Sequence, residues 1–300
     1  MTDFMIIGAQ KSATSSLQAA LSAHEKIRMP RGESAWFEDP EYASKPWLSR
    51  SANDSPDSPV RGIKRPDLLC RPDLAKRVSD NCPDARFIVV LRDPVERAVS
   101  AYFHLLRHGR LPYRDLAEGM AACLSDFNDG TGTRASRSVV SFGLYGAGLA
   151  AWTSLFAREQ FLVLSQPQVE GDFGATLEVC LNHVGLVPGD GRPPYEEERR
   201  NVGTFDPRVL RFQRWGHLLK TEEIEPVWGR RARNRNVLRR WSGTAVTALS
   251  TRAARNGVRP SALTQSTADC LARLYEADAK LLSPLVRDDV IYWRSRWGAA

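Results

Sequence analysis

The sequence predicts an α/β fold in which a doubly wound parallel sheet is flanked by helices and followed by a helical C-terminal portion. Over residues 1–204, short apolar runs typical of buried strands alternate with segments of helical spacing, which is the pattern of parallel sheets. From Pro207 onward the pattern is helical and suggests no strands. We therefore expect a single domain over residues 1–300, with an α/β core over 1–204 and a helical portion over 205–300.

The elements of the expected core follow one another in chain order. A strand over Phe4–Gly8 leads into a helix that ends near Leu21, and Ile27–Met29 is a short second strand. Residues 38–60 are rich in turn formers and predict a surface loop or short helix. The remaining elements are a strand end at Gly62–Pro66, a helix over Asp73–Asp80, a strand over Phe87–Leu91 with a helix after it, a polar and mobile connection over Asp126–Ser138, a helix over Gly146–Phe156 with Leu149, Trp152 and Leu155 on one face, a strand over Phe161–Leu164, a helix over Ala175–Val184 and a last helix over Leu271–Leu282.

The chain is basic, with 42 Lys and Arg residues against 35 Asp and Glu residues, a net charge of +7 and a pI near 9.3. This balance favours anionic ligands. The sequence has no zinc-finger, RRM or KH signature, so we expect no nucleic acid partner. The arginines within residues 230–240 predict a solvated helix face or, alternatively, a basic rim that contacts an acidic acceptor or a membrane surface.

The N-terminal residues and the cysteines predict a cytoplasmic protein. Residues 1–3 lead directly into the first strand and lack the basic and apolar regions of a signal peptide. No apolar run approaches the roughly eighteen residues of a membrane span. The five cysteines are dispersed and form no C-x-x-C pair, so we expect reduced thiols, as is usual in the cytosol.

The segment between the first strand and the first helix predicts a phosphate site. It places backbone N–H groups, a lysine and several hydroxyls at a helix N-terminus, where an anion is favoured. The segment is P-loop-like but departs from G-x-x-x-x-G-K-[ST], because Ala13 replaces the second glycine and Thr14 the lysine, which has moved forward to Lys11. We therefore expect phosphate binding without ATP hydrolysis. The candidate binding residues in this segment are Gln10, Lys11, Ser12, Ala13, Thr14, Ser15 and Ser16.

A second candidate segment follows the strand over Phe87–Leu91. Arg92 stands at the carboxyl end of this strand, where open α/β sheets bind ligands. Ser100 lies two turns farther along the next helix, from which it can face the same crevice. Arg92 and Ser100 are therefore further anion-binding candidates.

These segments, G-A-Q-K-S-A-T-S-S and L-R-D-P-V-E-R-A-V-S-A-Y, resemble those of the sulfotransferases that use 3′-phosphoadenosine 5′-phosphosulfate (PAPS). The resemblance implies that the first segment binds the 5′-phosphosulfate and that Arg92 and Ser100 bind the 3′-phosphate. It also implies PAPS as donor cosubstrate and the bisphosphate PAP as product. Lys11 is the candidate for contact with the bridging oxygen and the 5′-phosphate. No metal is expected, because cationic side chains and helix dipoles can supply the charge.

Two further residues are assigned by resemblance to the branch that includes the heparan sulfate enzymes. Glu33-Ser34-Ala35-Trp36-Phe37 resembles its K-E-x-x-[FW]-F segment, in which the glutamate is the catalytic base, although Gly32 replaces the lysine. Lys64 is similar to the lysine of its E-K-[ST]-P-x-Y segment, from which Arg65 and Asp67 depart. An ordinary surface glutamate and a solvated lysine are the alternatives.

His104 is the competing base candidate, because it lies one turn beyond Ser100 and can line the acceptor cleft. Tyr145 belongs to a segment that resembles the family's G-x-Y…L…W…F…L segment, and it is a candidate for contact with the nucleotide or the acceptor. Arg199, Arg200 and Asn201 stand where many relatives have a loop that touches the 3′-phosphate or the adenine.

We therefore expect a PAPS-dependent sulfotransferase that acts on a hydroxyl or amine of a small-molecule, glycolipid or carbohydrate acceptor. The loop expected over residues 38–60 would then lie near the acceptor site. A nucleotide or small-molecule kinase is one alternative, but it needs a lysine at position 14 and a magnesium-binding aspartate, and neither arrangement is found. A non-catalytic nucleotide- or polyanion-binding protein is another, and it does not explain why both phosphate-binding segments occur in family order.

Overall fold

The computed structural model describes residues 2–39, 59–187, 205–224, 229–232, 237–252 and 262–294, with side chains throughout these ranges except at 222–232, 237–240 and 251–252. The chain divides into two units. The first unit comprises Met1–Pro94, Leu144–Asn201 and Tyr275–Ala300, and the second comprises Val95–Gly143 and Val202–Leu274. The single domain expected from the sequence stays a prediction.

The first unit is built on a five-stranded parallel sheet. Its strand order is β2-β3-β1-β4-β5, which confirms the predicted doubly wound α/β fold. The strands are β1 (Phe4–Gly8), β2 (Ile27–Arg28), β3 (Val60–Lys64), β4 (Arg86–Leu91) and β5 (Phe161–Ser165).

The strand order places a topological switch point between β1 and β4. After β1 the chain forms β2 and β3 on one side of it, and then β4 and β5 on the other. The register pairs Gly8, the last residue of β1, with Val89 of β4. In open α/β sheets, ligands bind beyond the carboxyl ends of the strands at such a point. The residues that follow Gly8 and Leu91 therefore lie at the expected binding edge.

Several helices begin at residues that the sequence explains. Pro72, Pro94 and Pro207 each occupy the first position of a helix, where the missing N–H of proline costs little. The helices are α1 (Thr14–Ser22), α2 (Pro72–Asn81), α3 (Pro94–Arg107), α4 (Leu116–Asn128), α5 (Arg134–Ser141), α6 (Tyr145–Thr153), α7 (Gln166–Gly171), α8 (Phe173–His183), α9 (Pro207–Lys220), α10 (Val237–Arg252) and α11 (Gln265–Leu282).

Strand side chains in the first unit alternate between two buried clusters, one on each face of the sheet. This period of two follows from the pleat of a strand, and strands covered on both faces form continuous apolar runs. One cluster includes Met5, Ile7, Phe87, Val89 and Trp152. The other includes Phe4, Ile6, Leu17, Ile88, Val90 and Leu177. The buried Leu149 and Trp152 agree with the expected helix face, but Leu155 is 41% exposed because α6 ends at Thr153.

The connection expected over Asp126–Ser138 is largely helical, so that expectation was wrong. α4 continues to Asn128 and α5 begins at Arg134. The Ser136 N–H donates to Thr133 Oγ1 at 3.1 Å, and the Thr133 N–H donates to Ser136 Oγ at 3.1 Å, which forms a capping box. The polar residues that suggested a loop therefore start a helix.

The second unit contains two strands, contrary to the expectation of a strandless region after Pro207. β6 (Thr221–Ile224) and β7 (Gly229–Ala232) are antiparallel, and their register sets Glu222 opposite Arg231 and Glu223 opposite Arg230. Part of the basic stretch 230–240 is thus strand rather than a helix face, and its contact with a membrane stays a prediction.

Candidate active site

The loop between β1 and α1 has a backbone suited to an anion. Lys11 and Ala13 adopt left-handed conformations, with φ of 71° and 62°, while Ser12 between them does not. Alternation of this kind points successive N–H groups into a shared concavity. α1 then begins at Thr14 without a side-chain cap, so the positive end of its helix dipole lies next to this loop.

The side chains of this loop fit a phosphate or sulfate group. Ser12 is fully buried, and its Oγ has no hydrogen-bond partner among the described residues. Buried hydroxyls are normally hydrogen-bonded, so an unpartnered one next to a helix N-terminus is suited to a ligand oxygen. Thr14 is also buried, at the start of the same helix. We call residues 9–16 the donor loop, because their N–H and hydroxyl groups can donate the hydrogen bonds that a tetrahedral anion requires.

Arg92 reaches the donor loop from the neighbouring strand. It follows β4 directly, and its Nη1 donates to the Lys11 carbonyl oxygen at 3.4 Å. The two segments singled out in the sequence thus meet at the switch point of the sheet. Guanidinium groups form strong, charge-assisted hydrogen bonds with phosphate oxygens.

A carboxylate and a lysine lie on the other side of the donor loop. Lys64, the last residue of β3, donates from Nζ to Ser15 Oγ at 2.9 Å. The same Nζ lies 3.7 Å from Glu33 Oε1, and the Glu33 side chain is 41% exposed. Glu33 and Lys64 are therefore brought together next to the start of α1, with the carboxylate open to an incoming molecule.

Lys64 is buried, and this changes its protonation. Burial lowers the pKa of the Lys64 ammonium below its ordinary value, while the nearby Glu33 carboxylate opposes that effect. The charge on Lys64 is consequently more sensitive to alkaline pH than that of an exposed lysine.

Residues 1–186 match the family model for the sulfotransferase domain, which is more than half of the chain. The chain belongs to the sulfotransferase family. It is 28% identical over 185 residues to mouse heparan sulfate glucosamine 3-O-sulfotransferase 6, a match that covers 61% of this chain and 52% of the relative. It is 23% identical over 175 residues to the Caenorhabditis elegans bifunctional heparan sulfate N-deacetylase/N-sulfotransferase 1, covering 57% of this chain and 20% of the relative.

A solved sulfotransferase from Alicyclobacillus acidocaldarius has a similar fold. It aligns with a TM-score of 0.53 and 26% identity, over 66% of this chain and 87% of that one. The chain spans about half the length of the curated mouse relative named above. The family match favours the sulfotransferase interpretation over both the kinase and the non-catalytic binding protein.

Among the sulfotransferase candidates, Ser100 and His104 lie on α3 in the second unit. The His104 ring is 4.3 Å from that of His108, whose ring is in turn 4.3 Å from that of His217 on α9. Arg107 Nη2 lies 3.4 Å from His104 Nδ1. His104 is thus part of a cluster of three histidines with inclined rings. Its role as a base stays a prediction, as does that of Ser100 in donor binding.

The structure gives less information about the remaining candidate site residues. Tyr145 is buried at the start of α6, and its ring centroid lies 6.0 Å from that of Trp293, so the structure places it in the core. Its contact with nucleotide or acceptor stays a prediction. Arg199, Arg200 and Asn201 lie outside the described residues, as do residues 40–58 of the expected acceptor loop.

Sequence reasoning missed a buried charged cluster beside Glu33. It consists of Arg65, Glu38 and Asp67, all of which are buried. In the sequence, Arg65 and Asp67 stood out only because they depart from the sulfotransferase segment around Lys64. Nothing in the sequence pattern identified Glu38 as a site residue.

Two searches of the described residues gave negative results. None of the described helices is long and apolar enough to cross a membrane. Within the same part of the chain, no group of three or more His, Cys, Asp or Glu side chains is arranged to hold a metal ion.

Proposed function

We propose that this chain transfers the sulfuryl group of PAPS to a hydroxyl or amine of a carbohydrate or small-molecule acceptor. One arrangement carries the proposal: the donor loop with Lys11, Arg92 in contact with that loop, and the Glu33–Lys64 pair joined to it through Ser15. The relatives named as heparan sulfate sulfotransferases support a carbohydrate acceptor.

The residues of the site match the requirements of sulfuryl transfer. The acceptor oxygen or nitrogen forms a bond to sulfur, the bond from sulfur to the 5′-phosphate oxygen breaks, and the phosphate leaves with the electron pair as PAP. Lys11 and the first-turn N–H groups of α1 stabilise the charge on the leaving phosphate. Arg92 binds the 3′-phosphate through charge-assisted hydrogen bonds. Glu33 accepts the proton of the acceptor.

We propose that this transfer is metal-independent and cytoplasmic. Lys11, Lys64 and the N-terminus of α1 supply the positive charge that a leaving phosphate needs. The described cysteines are all free thiols, which agrees with a reducing compartment. Turnover that persists in EDTA supports the proposal, whereas a requirement for magnesium in the chemical step contradicts it.

The donor is tested by calorimetry and by sulfate transfer from radiolabelled PAPS to a panel of glucosamine-containing oligosaccharides. We expect PAP to bind and ATP to bind more weakly. Lys11→Ala should lower turnover roughly 10²–10³-fold, the usual loss for one preorganised charge stabiliser. Lys76→Ala is the control, because Lys76 is an exposed lysine paired with Asp80 on α2 and should leave turnover unchanged. Preference for ATP over PAP would contradict the proposal.

A further inference from the structure

Arg65 is a buried cation surrounded by three carboxylates. It follows β3 directly, and its side chain is only 8% exposed. Its Nε donates to Glu38 Oε1, its Nη1 donates to Glu33 Oε2 at 3.0 Å, and its Nη2 lies 3.5 Å from Asp67 Oδ2. Each nitrogen of the guanidinium thus faces a different acidic residue.

The three carboxylates differ in their exposure. The side chains of Glu38 and Asp67 are 2% and 6% exposed, whereas that of Glu33 is 41% exposed. A guanidinium is planar and rigid, so fixing two of its nitrogens also fixes the direction of the third. Glu38 and Asp67 therefore orient Arg65 from the interior, and its Nη1 sets the position of the exposed Glu33.

The cluster is connected to the donor loop at two points. Gln10 Nε2 donates to Asp67 Oδ1 at 3.2 Å, and Lys64 Nζ donates to Ser15 Oγ at 2.9 Å. Glu33 lies between these connections, with Oε2 bonded to Arg65 and Oε1 3.7 Å from Lys64. Glu33 Oε2 is thus linked to the donor loop through Arg65, Asp67 and Gln10. Glu33 Oε1 is linked to it through Lys64 and Ser15.

We infer that Arg65 is a positioning residue for the sulfuryl-transfer step, holding the Glu33 carboxylate in register with the donor loop while Glu38 and Asp67 orient Arg65 itself. This inference rests on the proposed function, in which Glu33 takes the acceptor proton. Gly32, the residue that precedes Glu33, carries no side-chain charge. Arg65, which directly follows β3, places a positive charge beside Glu33.

The test compares Arg65→Gln and Arg65→Lys in the oligosaccharide transfer assay. We expect Arg65→Gln to lower turnover about 10–100-fold, because small displacements of a reacting group have effects of this size. KM for PAPS and the calorimetric affinity for PAP should stay within about twofold of native, because the contacts of Lys11 and Arg92 with the donor are unchanged. Arg65→Lys should recover part of the turnover, since an ammonium keeps the charge but not the planar geometry.

Two further variants separate positioning from folding. Arg71→Gln is the matched control, because Arg71 approaches Glu38 at 3.9 Å and makes no described contact with Glu33; native turnover is expected. Arg65→Gln leaves Glu38 buried with its charge less compensated, which threatens folding. The double variant Arg65→Gln/Glu38→Gln removes that charge, and its thermal melt reports whether the fold is intact.

The outcomes distinguish this inference from the proposed function. A folded double variant with native turnover overturns the inference, and so does a loss of PAP affinity in Arg65→Gln that parallels the loss of turnover. If Glu33→Gln itself retains native turnover, the role of Glu33 in the proposed function fails, and the inference fails with it. If Glu33→Gln loses turnover and Arg65→Gln does not, only the inference fails.

Discussion

At the scale of single residues, Lys64 is the cation beside the donor loop whose pKa is altered by its surroundings. Lys64 is buried against Ser15 and Glu33, and burial lowers the pKa of its ammonium. Donor binding should therefore depend on pH through Lys64 before any exposed lysine titrates.

As the pH rises through its lowered pKa, Lys64 loses its proton while an ordinary lysine, with a pKa of 10.5, still holds one. We expect PAP affinity to fall at alkaline pH in the native protein and to persist in Lys64→Arg, measured calorimetrically between about pH 7 and pH 10. An equal decline in both proteins would assign the effect to another group. The effect of Lys64 on the free energy of unfolding has the opposite pH dependence. Between the lowered pKa and 10.5, the lysine is protonated in the unfolded chain but not in the folded protein, so its contribution to stability rises with pH.

Site residues differed in how far the sequence could identify them. Arg92 directly follows an apolar strand and Lys11 lies in the short loop after another, so local pattern was enough to place them at one edge of the sheet. The importance of Arg65 depends on Glu33, Glu38 and Asp67 converging on it after folding. No spacing rule predicts this convergence.

At the scale of elements, α6 and α11 approach each other closely. Asp278 of α11 caps α6, accepting from the N–H groups of Gly146 at 2.7 Å and Ala147 at 2.9 Å. Burial raises the pKa of this carboxyl, although the hydrogen bonds it accepts oppose the change. A Cβ atom at Gly146 would lie 2.2 Å from the Asp278 carbonyl oxygen, so the contact requires glycine.

Gly146→Ala should therefore destabilise the protein, by about 1–3 kcal/mol, as is typical when a packed contact must move. Gly171→Ala is the control, because no atom lies within 4 Å of a Cβ built there. Alanine is also the better helix former, so Gly171→Ala should be neutral or slightly stabilising. Urea unfolding of both variants measures the difference; equal stabilities would mean that α6 and α11 separate at no cost.

Sequence pattern identified the elements whose two faces are both covered. Residues 4–7 of β1 and residues 87–91 of β4 are continuous apolar runs, and both strands were located to within a residue. The β6–β7 pair was missed because its strands are short and polar, and short polar segments lack the apolar pattern that predicts a strand. The start of α5 was missed because Thr133 and Ser136 are typical of loops as well as of helix caps.

At the scale of the whole molecule, the five cysteines differ in solvent exposure, so their reactivities report on local unfolding in different parts of the fold. All are free; Cys270 is exposed, Cys70 is intermediate, and Cys82, Cys123 and Cys180 are buried. Burial raises the pKa of Cys123 and of Cys180 to about 12, and it also raises the pKa of Cys82. The thiolate is the reactive form, so burial and protonation protect the same residues.

Alkylation near neutral pH should label Cys270 first, and Cys123 and Cys180 only when the protein unfolds. Mass spectrometry of peptides from a timed iodoacetamide reaction measures the order, with labelling in denaturant as the control for intrinsic reactivity. Rapid native labelling of Cys180 would mean that α8 separates readily from the sheet.

The left-handed conformations of Lys11 and Ala13 have a consequence for the entropy of binding. Such backbone is unfavourable for residues other than glycine, by roughly 1–2 kcal/mol each. A side chain also restricts the unfolded chain more than glycine would. Much of the ordering cost of the loop is thus incurred when the protein folds rather than when an anion arrives. A glycine at position 13 would make the loop more flexible in the folded protein, so that more of the ordering cost would be incurred when an anion binds.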